Sequence, residues 1–222
     1  TGLLALPAFA QEESPSDAGA EATARPSLII TDATVVGSKE ASFELPASGY
    51  YLDLEDLERF NYTDINQALR TIPGVFVRQE DGHGFFPNVS LRGVDPNRSS
   101  KVTLMEDGVV IAPAPYSAPS AYFAPSSGRM SGLEVLKGSS QIKYGPHTTG
   151  GVINYLSTPI PTETSSYLKA AYGTDNEIQL HGHTGDSFET PLGTLGILGE
   201  IFHHGSDGFK TISPAAGGAY PG

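Results

Sequence analysis

The side chains able to do chemistry in this chain are histidines, arginines, carboxylates and hydroxyls, because it contains no cysteine. Disulfide frameworks, Cys-ligated zinc and thiol catalysis are thereby excluded. His181 and His183 stand two apart, on one face of an alternating segment, and could ligate a metal. Without a third ligand nearby they read better as polar residues on a strand face. His83 sits in the loop Asp81-Gly82-His83-Gly84, whose glycines place it at the surface. Gly138, Gly145, Gly150 and Gly151 invite a phosphate-loop reading. The required Lys followed by Ser or Thr is missing and no helix-forming run follows, so tight turns and close backbone contact are their expected use. No Ser/His/Asp or paired-carboxylate arrangement stands out, so no catalysis is expected.

The elements that carry these residues fall into two patterns. From 32 to 160 the sequence reads as a compact α+β region. Asp53 can cap a short helix from Leu54 to Phe60, and Thr63 a second from Asp64 to Thr71 that turns Ile65, Ala68, Leu69 and Ile72 to one face. Pro73-Gly74 stops it. Strands are expected at 75–77, 89–92, 101–106, 109–111, 133–137 and 152–156, with Asp107-Gly108 as a two-residue hairpin turn. The Pro/Ala/Ser-rich stretch 112–127 reads as loop. After Pro161 the pattern changes to strict alternation: Leu168, Ala170 and Tyr172 share one face, Ile178 and Leu180 another, and Leu195, Ile197 and Ile201 a third, opposite Glu200 and His204. Alternation of this kind fits outer-membrane barrel strands and equally a soluble sheet with one wet face.

The chain of 222 residues carries a net charge of −12, which argues against nucleic acid and anionic membrane surfaces as partners. It has no apolar run long enough for a transmembrane helix, which leaves a barrel as the route across a membrane. Residues 1–10 end in Ala8-Phe9-Ala10 and read as the remnant of a signal peptide. Residues 11–31 are Glu/Ser/Ala-rich and read as a flexible tail, within which a strand-like apolar segment begins at Ser27 and runs to Gly37. Both ends of the chain read as truncated.

Three blocks carry a family resemblance. Residues 62–77 contain Arg70-Thr-Ile-Pro-Gly-Val75, residues 89–108 contain Leu91-Arg-Gly93 and Asp107-Gly108, and residues 133–154 contain Tyr144-Gly and Gly150-Gly-Val-Ile-Asn154. In this order they resemble the plug domain of TonB-dependent outer-membrane receptors. The resemblance implies a mixed-sheet plug with short helices over 32–160, followed over 161–222 by the first strands of an antiparallel transmembrane β-barrel. It further implies a transporter, not an enzyme, partnered by TonB with its inner-membrane energy-transducing complex, a ferric chelate and outer-membrane lipid. No resident cofactor or metal is implied; iron enters only as part of the cargo.

The stretch from Ala112 to Pro125 is most similar to the ferric citrate receptor subgroup. That likeness implies ligand contacts at Arg92, His83, Tyr116 and Ser117. A guanidinium suits a carboxylate chelate, although Arg92 could instead pair with a barrel carboxylate. His83 and Ala118 depart from the subgroup's polar set, where a threonine and a glutamine stand. Haem, cobalamin, another metal or a saccharide therefore stay open as cargo, as does a non-transporting receptor or adhesin. Asp32, Ala33, Thr34, Val35 and Val36 occupy the place of the TonB box, an extended segment that could add to a partner's sheet edge; an ordinary first strand of the plug is the alternative.

Overall fold

A computed structural model describes residues 34–45, 48–112, 121–144 and 149–208. Tyr116, Ser117, Asp32, Ala33 and the segments 1–10 and 11–31 lie outside these. Ser38, whose hydroxyl accepts the Ala41 N–H, caps α1 (Lys39–Glu44). Strand β1 (Ser48–Leu52) leads to α2 (Leu54–Glu58), opened by a capping box in which Asp53 and Asp56 each accept the other's backbone N–H. A 3-10 helix, Ile65–Thr71, follows. Its cap is Asp64 rather than Thr63, and its carboxylate accepts from Asn66 N, Asn66 Nδ2 and Gln67 Nε2. Three donors converge on that buried carboxylate, and the Thr63 hydroxyl turns away to Glu177.

Strands β2 (Val75–Val77) and β3 (Val89–Leu91) form a small antiparallel pair. Strands β4 (Val102–Glu106), β5 (Val109–Ala112), β6 (Met130–Lys137) and β7 (Gly151–Ser157) join β1 in a mixed sheet of order β1-β6-β7-β4-β5, in which only β4 and β7 run parallel. Asp107 and Gly108, both at positive φ, make the β4–β5 hairpin turn expected from their sequence. One face of the sheet packs Leu104, Leu133, Val135, Ile153 and Tyr155 against Ile65, Ala68, Leu69 and Ile72 of the 3-10 helix. The Tyr155 hydroxyl, fully buried, donates to Asn66 Oδ1 at 2.8 Å. Gly150 and Gly151 sit where a side chain would strike backbone: an added methyl would lie 3.0 Å from the Lys101 carbonyl and 2.6 Å from that of Leu136.

Strands β8 (Ser165–Tyr172), β9 (Ile178–Thr190) and β10 (Gly193–Gly205) form a separate antiparallel meander. Leu168, Tyr172, Ile197 and Ile201 stand exposed on its outer face, while Tyr167, Lys169, Gln179, His181, His183, Glu200 and Phe202 turn toward the α+β unit. That contact is largely polar. Asn61 joins Gln179 and Lys169, Glu58 joins Tyr167, and Thr158 joins Glu200. Phe202 lies over Gly128, where no side chain would fit. A cavity of about 490 Å³ remains between the two sheets, lined by Tyr51, Leu57, Met130, Tyr167, His181 and Phe202. Among the described residues no helix is long and apolar enough to cross a membrane.

The sequence reading missed α1, β1 and the short 3-10 helices Asn97–Ser99, Ser127–Arg129 and Ser139–Tyr144. The expected strand through Gly37 is also not seen where it is described: Val35 and Val36 form a bend, and their N–H groups turn to Glu134.

Candidate ligand-recognition site

The loop joining β2 to β3 is built around one carboxylate. Asp81 Oδ1 accepts the backbone N–H groups of His83, Gly84 and Phe85, and Oδ2 accepts that of Phe86. Burial alone would raise the Asp81 carboxyl, but these backbone donors outweigh it and hold the pKa below the usual Asp range. Gly84 is at φ +78 and lies directly against the Asp64 carboxylate, while its carbonyl accepts from Asn66 Nδ2. The loop tip is thus tied to the cap of the 3-10 helix. His83, at the tip, stacks near Phe85 and lies 5.0 Å from the ring of His204 at the end of β10.

Beside this loop stands an arginine the sequence reading passed over. Arg98 sits in the turn before β4 at φ +50, its N–H donating to Asn88 Oδ1 and its carbonyl accepting from Ala121. Its guanidinium pairs with Glu80 at 2.6 Å, lies 4.4 Å from the centre of the Phe86 ring and faces Tyr122 at 5.5 Å. Nη1 is buried with no partner among the described residues. Around it Phe85, Phe86, Tyr122 and Phe123 remain exposed. The Arg98 guanidinium is thus paired with Glu80 and flanked by aromatic rings, with one buried N–H group unmatched among the described residues, a setting that suits contact with an anionic group carrying apolar surface. The signal in the sequence was the doublet Asn97-Arg98 after a proline, a turn that puts an arginine at positive φ.

Arg92 stands elsewhere. Strands β2 and β3 pair Val77 with Val89 beside the Asp81 loop and Val75 with Leu91 beside Arg92. At about 3.3 Å per residue, His83 and Arg92 are at opposite ends of this hairpin, so the structure does not bring these two together. Arg92 is exposed, at φ +55, with its N–H on the Gly74 carbonyl. Its neighbour Lys137 donates to the Pro73 carbonyl at 2.7 Å and lies over the Tyr50 ring. Burial, and then the Arg92 charge, push the Lys137 pKa down. Neither cation has a carboxylate partner among the described residues. Two cations side by side without an anion fit structural pairing with a carboxylate from another segment at least as well as ligand contact.

His181 and His183 face inward; His183 stacks on Tyr167, His181 lies tilted beside it, and His181 bonds Glu200 at 2.9 Å. No group of metal-ligating side chains is found among the described residues. Of the segment 32–36, Thr34 is exposed, whereas Val35 and Val36 donate their N–H groups to Glu134 and Val36 is buried.

Comparison with known proteins follows the same division of the chain. The model of the TonB-dependent receptor plug domain matches residues 41–152. The vitamin B12 transporter BtuB of Vibrio vulnificus is 32% identical over 126 residues, which is 56% of this chain and 20% of that protein. Among solved structures, the unliganded ferric citrate transporter FecA aligns with a TM-score of 0.59 at 24% identity, over 76% of this chain and 27% of that one. The siderophore receptor PirA from Acinetobacter baumannii aligns at 0.52 and 19%, over 76% and 26%. The chain thus spans roughly a fifth to a quarter of the length of the proteins it matches. At these identities the solved structures speak for the fold. With half of its length matched by the family model, the chain belongs to the TonB-dependent receptor plug domain family.

Proposed function

We propose that the protein of which this chain is part imports a ferric chelate across the outer membrane, with the plug closing a barrel begun by β8–β10. The observation that carries the cargo class is Arg98, whose guanidinium, paired with Glu80, lies among exposed aromatic rings at the loop end of the plug. A carboxylate-bearing chelate such as ferric citrate suits that chemistry. The turns support one orientation. β9 and β10 are joined by two residues, as expected of a periplasmic turn, while the His83 loop lies at the opposite end of β10. In this reading Arg98, His83 and Tyr122 face the outside. The segment 32–36 is the one that TonB and its inner-membrane complex would engage by strand addition.

A second cargo, a cobalt corrinoid, is favoured by the 32% identity to a vitamin B12 transporter. Uptake by the full-length receptor separates the two. Energy-dependent import of labelled iron that excess ferric citrate competes away, and that deletion of 32–36 abolishes, supports the first reading. Import of iron indifferent to ferric citrate removes it, and uptake unchanged by the deletion removes the assignment of the TonB contact.

A further inference from the structure

Ligand recognition leaves a buried carboxylate unused. Glu134, in the middle of β6, is 0% exposed. It shares a sheet face with Leu136, Val152, Asn154 and Met105, opposite the main core. Its Oε2 accepts the Val35 N–H at 2.6 Å, and its Oε1 accepts those of Val36 at 3.0 Å and Gly37 at 2.6 Å. Asn154 Nδ2 donates to Oε2 at 2.7 Å, and Asn154 Oδ1 accepts from Gly108 in the β4–β5 turn.

Three consecutive amides wrapped on one carboxylate form an anion-binding nest, closed by Gly37 at φ +96. Val36 seats beside Gly49, where an added methyl would lie 3.5 Å from it. The sheet does not need this charge, since β6 pairs through its backbone with β1 and β7 on either side. A carboxylate at such a place is tolerated only while its oxygens are met by donors. Three of its four donors belong to a segment about a hundred residues away in the chain.

We propose that Glu134 is the positioning residue that couples the N-terminal segment to the plug's central sheet. At rest it holds residues 35–37. A pull on the chain ahead of Thr34 withdraws three donors together and strands a buried carboxylate between β6 and β7, which loosens the sheet. The pulling partner rests on the function proposed above; the hold itself does not.

The test uses the full-length receptor in lipid vesicles, with hydrogen exchange read at the amides of 35–37 and of β7. Glu134→Gln keeps the shape but turns one acceptor into a donor. Exchange at 35–37 is expected to rise about tenfold or more while β7 stays protected, because no charge is left to strand. Gly37→Ala strains the nest at positive φ in open space. It is expected to speed exchange at 35–37 and in β7 as well. In the double variant the β7 effect of Gly37→Ala should vanish, whereas independent packing roles would add. Equal exchange at 35–37 in wild type and Glu134→Gln overturns the proposal. So does a β7 effect of Gly37→Ala that is the same in both backgrounds. Should Glu134→Gln fail to fold, Gly37→Ala that leaves β7 unchanged overturns it alone. A wild type that shows the expected exchange pattern across the variants but imports no chelate supports the hold and removes the transport reading.

Discussion

Strands β6 and β8 are each eight residues long and bury their side chains in opposite ways. In β6 seven residues are buried, on both faces of the sheet, and the polar ones among them, Glu134 and Lys137, are hydrogen-bonded. In β8 none is buried, and exposure alternates residue by residue. Leu133 of β6 is 0% exposed and Leu168 of β8 is 83% exposed. Leu168 and Tyr172 are left open on one face while Tyr167 and Lys169 turn inward to Glu58 and Asn61, the one-sided alternation of a barrel strand. The leucine of β6 holds a domain together; the one in β8 stands open among the described residues.

That contrast can be broken or sharpened by substitution. The largest effect is expected from Leu133→Ala, which should destabilise the plug by about 2–5 kcal/mol through lost burial and a residual cavity. Urea unfolding followed by hydrogen exchange at β6 and β7 would show it. Next is Leu168→Arg, which should cost about 2–4 kcal/mol for the receptor folded into a bilayer. If β8 instead faces water, the same change would leave stability in lipid unaltered. Smaller still is Gly84→Ala, expected to lose about 1–3 kcal/mol because a side chain at φ +78 meets the Asp64 carboxylate. Its signature is faster exchange at 83–86, with β8 untouched. The smallest effect is a pH dependence confined to the plug. The Asp81 pKa is depressed in the folded state, so its contribution is present above the ordinary value of 3.8 and is lost as pH falls through the folded value. Amides 83–86 should therefore lose protection in acid, and Asp81→Asn should remove that dependence.

How much was legible in the sequence follows from the same contrast. Alternation in Tyr167–Tyr172 and in Leu195–Ile201 placed the outer and inner faces correctly, because side chains on a one-sided sheet must alternate. The Asp107-Gly108 turn and the apolar face of Ile65–Ile72 were legible for local reasons. Strand β1 was not, because Ser48-Gly-Tyr-Tyr-Leu52 has no alternation and pairs with β6 some eighty residues later. The cap of the 3-10 helix went to Asp64 because Asn66 and Gln67 also donate to it, a convergence that spacing does not reveal. Arg98 was missed for a similar reason: its partners Glu80 and Phe86 in the β2–β3 loop and Tyr122 ahead of β6 come from segments on either side of it, and only the fold gathers them. Arg92 was conspicuous because it lies in a recognisable motif, yet it stands with Lys137 at the far end of the hairpin.

The measurement that bears most directly on the proposed function is the affinity of the full-length receptor for ferric citrate, titrated for the wild type, Arg98→Ala and Arg92→Ala. Loss of a charge-assisted contact at Arg98 should weaken binding by about tenfold to a hundredfold, with Arg92→Ala close to the wild type. Unchanged affinity in Arg98→Ala, or loss confined to Arg92→Ala, would contradict the placement of the recognition site.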